Sequence, residues 1–195
     1  MSILRELKTP IFNAESTYSI PKLENYIITI IKDDLSELNF NLVDFIKLFK
    51  IKEVNCRLTS VSGWSVRAIW QGILWQDFLN YIKPAEYNYV IFESYGGYST
   101  AIFKEDLENP RIIMAIKVGG QVLEEAYGGP IRMVIPNLWG YKSCKWLHKI
   151  IFSKEYTKGY WESFGYDDRG LIKASKTFDV NSKTYIDIGD GEVLN

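Results

Sequence analysis

The sequence contains few of the residues from which most catalytic and metal sites are built, with one histidine and two cysteines among 195 residues. A Ser-His-Asp triad or a histidine-rich metal site would have to depend on His148. Cys56 and Cys144 are too few for a disulfide framework and lack the paired spacing of a zinc site. We expect two buried thiols, with a Cys56–Cys144 disulfide as the alternative.

Long apolar runs and a strong net charge are also absent. No stretch approaches the roughly 18 consecutive apolar residues of a membrane-spanning helix. Residues 1–8 alternate apolar and charged side chains, which is not the pattern of a secretory signal, so we expect a cytoplasmic protein. The formal net charge of −1 provides no basic field for a polyanion, and nucleic acid is excluded as an expected partner.

The composition is that of a globular domain: 47% of the residues are hydrophobic and 15% are aromatic. A chain of this length is most simply one domain, residues 1–195. Patterns typical of short strands are interspersed with brief helical patterns, without a regular strand-helix-strand alternation. This arrangement predicts an α+β fold with mixed, mainly antiparallel sheets and short helices.

Two helices are predicted by the spacing of apolar residues. The first runs over residues 42–49 with Asn41 as its N-cap, and the second runs from Trp75 to Ile82 and is stopped by Pro84. Strands are predicted for residues 26–31, 53–59, 89–92, 98–103, 112–118, 121–123, 131–136 and 146–152. Residues 169–195 give no assignable pattern.

Several motifs in order carry a family resemblance. They are Ser60-Val61-Ser62-Gly63-Trp64-Ser65, Gly97-Tyr98-Ser99-Thr100, Met114 to Leu123, Tyr127-Gly128-Gly129-Pro130-Ile131-Arg132, Gly140-Tyr141-Lys142-Ser143-Cys144-Lys145-Trp146, and Gly159-Tyr160-Trp161-Glu162 with Gly165-Tyr166-Asp167. Over about residues 9–168 the chain resembles the sulfite oxidase-like, molybdopterin-binding oxidoreductases. It is also similar to the catalytic subunit of the periplasmic methionine sulfoxide reductase system.

The resemblance implies a molybdopterin cofactor, a sulfite oxidase-like fold and oxygen-atom transfer at a small oxyanion or sulfoxide, with an unidentified electron-transfer partner. Planar guanidinium and ammonium groups suit the cofactor's phosphate. The implied cofactor-binding residues are Ser16, Ser60, Ser99, Thr100, Gly128, Arg132, Lys142, Ser143, Cys144 and Lys145. The implied catalytic residues are Ser60, Thr100 and Tyr127.

The chain departs from the family pattern at the metal ligand. The family signature has a cysteine where this sequence has Ser60, and a hydroxyl is a harder, less donating ligand than a thiolate. Tyr127 and Asp167 each stand where the family has a histidine, and Ser16 stands where it has an asparagine. Ser60 is therefore the predicted metal ligand of an enzyme, or a residue of a relative that binds pterin or another anion without turnover.

Alternatives remain open for several of these residues. Arg132 and Lys145 could be ordinary surface charges, and the fold could serve only as an interaction module. We expect most of the six tryptophans to fill the core and His148 to be a packed or surface residue. The acidic pairs Asp33-Asp34, Glu124-Glu125 and Asp167-Asp168 are interpreted as solvated turns.

Overall fold

The computed structural model of the protein describes residues 2–14 and 20–189. Within these ranges the chain forms four short α-helices and twelve strands. The helices are α1 (Ile3–Glu6), α2 (Leu42–Lys47), α3 (Trp75–Ile82) and α4 (Tyr160–Ser163). The strands are β1 (Ile27–Ile31), β2 (Glu37–Asn41), β3 (Lys52–Ser60), β4 (Trp64–Leu74), β5 (Tyr89–Ser94), β6 (Ser99–Phe103), β7 (Ile113–Val118), β8 (Gln121–Val122), β9 (Arg132–Val134), β10 (Leu147–Ser153), β11 (Ser175–Asp179) and β12 (Thr184–Ile188).

The strands form two sheets. The first has the order β2-β1-β10-β5-β6, in which β1 and β10 are parallel and the other pairs are antiparallel. The second has the order β12-β11-β4-β7-β8, with β3 paired to β4 and β9 paired to β7. Its one parallel pair among the described strands is β11 with β4. The prediction of an α+β fold with mainly antiparallel sheets is confirmed.

Both predicted helices form where the apolar spacing places them. The side chain of Asn41 accepts a hydrogen bond from the Val43 amide at 3.0 Å, which satisfies a free N–H at the start of α2. Trp75, Phe78 and Ile82 lie on the buried face of α3. The helix ends at Ile82, and its C-cap Lys83 adopts the left-handed conformation just before Pro84, the predicted stop.

The longest strand was not predicted from the sequence. β4 covers 11 residues, and only its first two, Trp64 and Ser65, belong to the Ser60 motif. Val66, Ala68 and Trp70 are buried on one face in one apolar cluster, and Ile73 is buried in the other cluster, after a register shift between Gln71 and Gly72. The hairpin of β11 and β12 was also missed, and it lies in the segment to which no pattern could be assigned.

The two apolar clusters share β4 and β7. Ile73 and Met114 belong to the larger cluster, whereas Trp70 and Ile113 belong to the smaller one. A fully buried apolar side chain of this size contributes about 1.5–3 kcal/mol to stability. Cys144 lies in the larger cluster and Cys56 in the smaller, and both are free thiols, so the disulfide alternative is wrong. No helix in the part of the chain that the structure describes is long and apolar enough to cross a membrane.

Candidate functional site

A cavity of about 270 Å³ opens between the N-terminal segment and the ends of both sheets. Ser60 contributes from the end of β3, and Tyr98 contributes from the residue before β6. The full lining consists of Leu4, Thr9, Pro10, Phe12, Asn13, Ala14, Leu58, Ser60, Val61, Ser62, Trp64, Tyr98, Tyr127, Arg132, Gly140, Tyr141, Ser143, Lys145, Trp146, Trp161 and Tyr166. Five of the predicted site residues therefore meet in this cavity, namely Ser60, Tyr127, Arg132, Ser143 and Lys145.

Ser60 begins the tight turn that joins β3 to β4. Its carbonyl accepts a hydrogen bond from the Gly63 amide at 3.1 Å, and Gly63 has a φ of +88°, which favours glycine. The Ser60 hydroxyl lies 2.7 Å from the Ser62 hydroxyl and accepts a hydrogen bond from the Ser62 amide at 3.2 Å. The turn therefore presents a serine oxygen with two neighbouring donors to the cavity.

Arg132 is a buried cation without an acidic partner. It is 3% exposed, and its guanidinium donates to the carbonyl oxygens of Tyr127 at 2.8 Å, Met133 at 3.1 Å and Ser143 at 3.1 Å. Within residues 2–14 and 20–189, no carboxylate forms an ion pair with it. Burial lowers the pKa of Arg132 to about 10, so the group stays charged at neutral pH. Since three of its five N–H groups are used, two are left for an anion in the cavity.

Lys145 is a second basic residue of the cavity lining. Its ammonium donates to the carbonyl oxygen of Phe12 at 2.8 Å and to the side-chain oxygen of Asn13 at 2.7 Å. Gly128 makes this position of Lys145 possible, because a Cβ on Gly128 would lie 2.8 Å from the Cγ of Lys145. Gly128, which the family resemblance implies as a cofactor-binding residue, thus packs against a lysine side chain and lies outside the cavity lining.

Three hydroxyl groups complete this part of the cavity. The Ser143 hydroxyl accepts a hydrogen bond from the Ile135 amide at 3.0 Å and keeps its own hydrogen for donation. Tyr127 donates to the Thr9 carbonyl at 3.2 Å, and burial raises the pKa of Tyr127. The Thr9 hydroxyl is buried and has no partner among the residues that the structure describes.

Aromatic side chains line the mouth of the cavity. Phe12 packs against Trp161 with 5.9 Å between ring centroids, and Tyr141 packs against Tyr166 at 5.3 Å. Trp64, Trp146 and Trp161 line the cavity, whereas Trp70 and Trp75 are core residues. Trp146 is also buried, and Trp64 and Trp161 also pack against the apolar clusters, so these three tryptophans contact the core and line the cavity at the same time.

A family model described as the oxidoreductase molybdopterin binding domain matches residues 17–161. The chain belongs to this family. The uncharacterized oxidoreductase YuiH of Bacillus subtilis is 34% identical over 127 residues, which is 64% of each chain. The protein-methionine-sulfoxide reductase catalytic subunit MsrP of Burkholderia mallei is 26% identical over 148 residues, 68% of this chain and 45% of its own length.

A solved structure shares the fold of this molybdopterin-binding family member. The sulfane dehydrogenase SoxCD from Paracoccus pantotrophus matches with a TM-score of 0.62 and 14% identity, over 72% of this chain and 41% of that chain. The predicted molybdopterin-binding fold is confirmed. The chain spans less than two thirds of the length of these relatives.

The cavity lining fits the phosphate-bearing cofactor that the family description implies. Arg132 offers a buried positive charge without a carboxylate, and the Thr9 and Ser143 hydroxyls lie in the same cavity. The cavity volume of about 270 Å³ is close to the lower end of the roughly 300–1,000 Å³ typical of ligand sites. Among the described residues, no group of three or more His, Cys, Asp or Glu side chains could hold a metal ion.

Thr100 and Lys142 were predicted to contact the cofactor, but the structure places both behind the cavity wall. Lys142 is fully buried, and its ammonium donates to Glu162 at 2.5 Å and to the carbonyls of Ala101 at 2.9 Å and Asp168 at 2.7 Å. The Thr100 hydroxyl donates to the same oxygen of Glu162 at 2.6 Å. Because both groups donate hydrogen bonds to Glu162, they stabilise the cavity wall from behind and do not line the cavity.

Sequence reasoning gave Glu162 no role. The sequence feature that could have identified Glu162 is its place directly after two aromatic residues, Tyr160 and Trp161, where a solvated charge is unexpected. The residue is fully buried in α4, next to the cavity residue Trp161, while its partner Lys142 follows the cavity residue Tyr141. The ion pair therefore fixes two aromatic residues of the mouth relative to each other.

Two further predicted residues, Cys144 and Ser99, also lie outside the lining. Cys144 is buried, and its thiol donates to the Lys145 carbonyl at 3.4 Å. Ser99 is at the start of β6, where its carbonyl lies beneath Gly159. Ser16 lies outside the described residues. His148 packs against the Tyr95 ring at 4.1 Å, as expected for a packed histidine.

The acidic pairs divide between turns and ion pairs. Asp34 accepts hydrogen bonds from Ser36, and Asp167 accepts them from the amides of Arg169 and Gly170, as turn residues do. Glu124 also lies in a turn, since its carbonyl accepts from the Tyr127 amide at 3.0 Å, but its partly exposed carboxylate forms an ion pair with Arg5 at 2.6 Å, which was not predicted.

Proposed function

We propose that this protein is a molybdopterin-dependent oxidoreductase that transfers an oxygen atom at a small organic sulfoxide. The observation that carries the proposal is that the buried, uncompensated guanidinium of Arg132 and the Ser60 turn share one cavity. The net reaction converts R₂SO, two electrons and two protons into R₂S and water. A reducing electron-transfer partner is therefore required.

Arg132, Ser143 and Lys145 would hold the cofactor from one side of the cavity. The two remaining N–H groups of Arg132 and the Ser143 hydroxyl would donate to phosphate or pterin oxygens, while Lys145 adds positive charge. When bound, the cofactor supplies a redox-active molybdenum centre that exchanges an oxygen atom together with two electrons. The chain's own task is to bind, orient and enclose it.

Ser60 would act as an oxygen ligand in place of the thiolate. The amide of Ser62 and its hydroxyl both lie within hydrogen-bond distance of the Ser60 oxygen, and two donors favour an ionised oxygen. An alkoxide is a harder ligand than a thiolate. We therefore expect slower turnover than a cysteine would support at this position.

The aromatic mouth favours an organic sulfoxide over an inorganic oxyanion. Sulfur contacts aromatic rings favourably, by about 0.3–1.5 kcal/mol per contact. Phe12 is 66% exposed at the mouth, and Trp161 and Tyr166 continue the same surface. A small dianion such as sulfite would meet few cations there, since Arg132 is deep and Lys145 holds Phe12 and Asn13.

The deciding experiment measures molybdenum and pterin fluorescence on protein purified from a host that makes the cofactor, followed by reduction of methyl phenyl sulfoxide with a viologen donor. We expect bound pterin, bound molybdenum and measurable sulfoxide reduction. Absence of both pterin and molybdenum would leave the fold as an interaction module. Oxidation of sulfite without reduction of sulfoxide would assign the oxyanion as substrate instead.

Ser60→Cys is the variant that tests the ligand position. We expect it to raise turnover about tenfold or more at unchanged pterin content, because the thiolate is the better donor. Ser153→Ala, a serine change on β10 outside the cavity, is the matched control. Unchanged turnover in Ser60→Cys would show that residue 60 is not at the metal.

A second candidate is a relative that binds the pterin without turnover. Ser60 itself favours it, because a hydroxyl must lose its proton before it ligates. Bound pterin in a wild-type protein that has no sulfoxide or sulfite activity, with activity gained in Ser60→Cys, would support this candidate.

A cytoplasmic location stays a prediction from the sequence.

A further inference from the structure

The hairpin of β11 and β12 lies outside residues 17–161, the part of the chain that the family model matches. Its first strand, β11, pairs in parallel with the start of β4 in the second sheet. Phe178 is paired with Trp64, and Asp179 is paired with Ser65. The hairpin therefore joins the sheet directly behind the turn that begins at Ser60.

Backbone hydrogen bonds hold this turn from behind. The Phe178 amide donates to the Gly63 carbonyl at 2.9 Å, and the Val180 amide donates to the Ser65 carbonyl at 2.8 Å. The Asn181 side chain continues the pairing, since it accepts from the Arg67 amide at 2.7 Å and donates to the Arg67 carbonyl at 2.9 Å. The start of β4 is thus bonded on its outer edge by the hairpin.

Side chains extend the same connection through the sheet to the residue before Ser60. Asp179 is 4% exposed and pairs with the Arg57 guanidinium at 2.8 Å. The same nitrogen of Arg57 lies 3.3 Å from the Ser65 hydroxyl. The Ser65 hydroxyl lies 2.9 Å from the hydroxyl of Thr59, and both residues are buried.

The turn itself has little other support on its solvent side. Val61 is 48% exposed, and Ser62 and Gly63 are also exposed. A functional oxygen has to be held within about 0.5 Å of its working position, and exposed turns do not achieve this alone. The hairpin supplies the missing constraint from the buried side.

We propose that the C-terminal hairpin is a positioning element for the Ser60 turn, with Asp179 and Arg57 as the positioning residues. The consequence for turnover rests on the proposed function, but the constraint on the turn does not. It is a property of the chain without cofactor, so it is measurable separately.

The test is amide hydrogen exchange of the cofactor-free, full-length protein, read by mass spectrometry over residues 60–66. Asp179→Asn removes the charge but keeps an oxygen that can accept from the Ser182 amide, and Arg57→Met keeps the volume of the side chain without its donors. We expect each variant to exchange about tenfold faster over this segment, with the rest of the chain unchanged. Glu93→Gln, which breaks the Lys149–Glu93 pair of the first sheet, is the control and should leave the segment unchanged.

Unchanged exchange over residues 60–66 in both variants would overturn the proposal. Faster exchange spread evenly over the chain would also overturn it, since that is ordinary loss of stability. If neither variant folds, Asn181→Ala is measured instead. It removes only the pairing with Arg67, next to this segment, so exchange over residues 60–66 should rise by a smaller factor.

In cofactor-loaded protein, a positioning role predicts a fall in kcat of about fivefold for Asp179→Asn, with the KM for sulfoxide and the bound molybdenum unchanged. A raised KM or lost molybdenum would count against positioning. If the turn loosens in the variants but the wild type has no activity, the proposed function fails and the positioning role stands.

Discussion

Lys142 and Arg132 are both buried cations, but their charges are balanced differently. Lys142 meets the carboxylate of Glu162 at 2.5 Å and two backbone carbonyls, so its charge is neutralised within the protein. Among the residues that the structure describes, Arg132 donates its hydrogen bonds to carbonyl oxygens, and its guanidinium lies over the Trp70 ring at 5.9 Å. Because a buried charge is costly unless it is paired, Lys142 belongs to the scaffold, whereas Arg132 has a charge left for a ligand.

Replacing Glu162 with glutamine should destabilise the protein by about 3–5 kcal/mol at neutral pH, because it leaves Lys142 buried and unpaired. Burial lowers the pKa of Lys142, and Glu162 opposes that shift. With the folded pKa below the unfolded one, the unfolded chain binds more protons between the two values, so stability rises with pH there. Glu162→Gln lowers the pKa of Lys142 in the folded protein further. Because Lys142 then loses its charge more readily as the pH rises, the destabilisation by Glu162→Gln should shrink towards about pH 9.5.

Urea unfolding of wild type and Glu162→Gln at both pH values measures this difference. Glu86→Gln, which breaks an exposed pair with Lys154, is the control and should change stability by less than about 1 kcal/mol. An effect of Glu162→Gln that is small, or that grows with pH, would contradict the assignment of Lys142 as a buried, paired cation.

At the scale of elements, the N-terminal segment is held on the cavity by contacts at both ends. Arg5 of α1 donates to Glu124 at 2.8 and 2.6 Å, and the Ser2 amide donates to the other oxygen of Glu124 at 3.1 Å. Lys145 binds Phe12 and Asn13 further along. One wall of the cavity is therefore built by a segment far in sequence from the strands that it covers.

Glu124 should release the first end of this segment in acid. The Arg5 and Ser2 hydrogen bonds lower the pKa of Glu124 to about 2, from an ordinary value of about 4.5. Its contribution is therefore complete above about pH 4.5 and is lost as the pH falls through about 2. In an NMR titration the Ser2 amide should follow this pKa, and in Glu124→Gln it should show no such transition.

Limited proteolysis at neutral pH provides an independent measurement. Glu124→Gln should be cut faster within residues 2–14 than wild type, whereas the neighbouring change Glu125→Gln should not alter the rate. Equal cleavage of wild type and Glu124→Gln would mean that the remaining contacts, among them those of Lys145 and Tyr127, hold the segment without Glu124.

At the scale of the whole molecule, β4 and β7 join the two apolar clusters into one cooperative structure. Opposite faces of the same strands pack into both clusters, as Ile113 and Met114 illustrate. We expect a single urea transition in which far-ultraviolet circular dichroism and tryptophan fluorescence coincide. Two separated transitions would show that the clusters unfold independently.

The parts of the structure that follow from short-range patterns were predictable. The spacing from Trp75 to Ile82 and the cap at Asn41 predict two helices, and the predicted strands 112–118 and 121–123 correspond to the hairpin of β7 and β8. The candidate site was predictable where single residues line the cavity, such as Ser60 and Arg132. These features depend on neighbours within a few residues of the chain.

The parts that were missed depend on partners far apart in sequence. The sequence predicts Lys142 as a cofactor-binding residue, whereas in the structure it is bound by Glu162, 20 residues away on a helix of four residues. The hairpin of β11 and β12 carried a usable signal, two β-prone runs around Asn181-Ser182-Lys183, but not its parallel pairing with β4. Long-range pairing of this kind is not encoded in local periodicity.

The environment of Lys142 also determines how this lysine reacts. All three hydrogens of its ammonium are donated, to Ala101, Glu162 and Asp168, and the side chain is fully buried. An amine acylates only when it is uncharged and accessible, so Lys142 should resist amine-reactive labels while exposed lysines such as Lys47 are modified. Labelling of Lys142, read by peptide mass, would then report the opening of the cavity wall in the native protein.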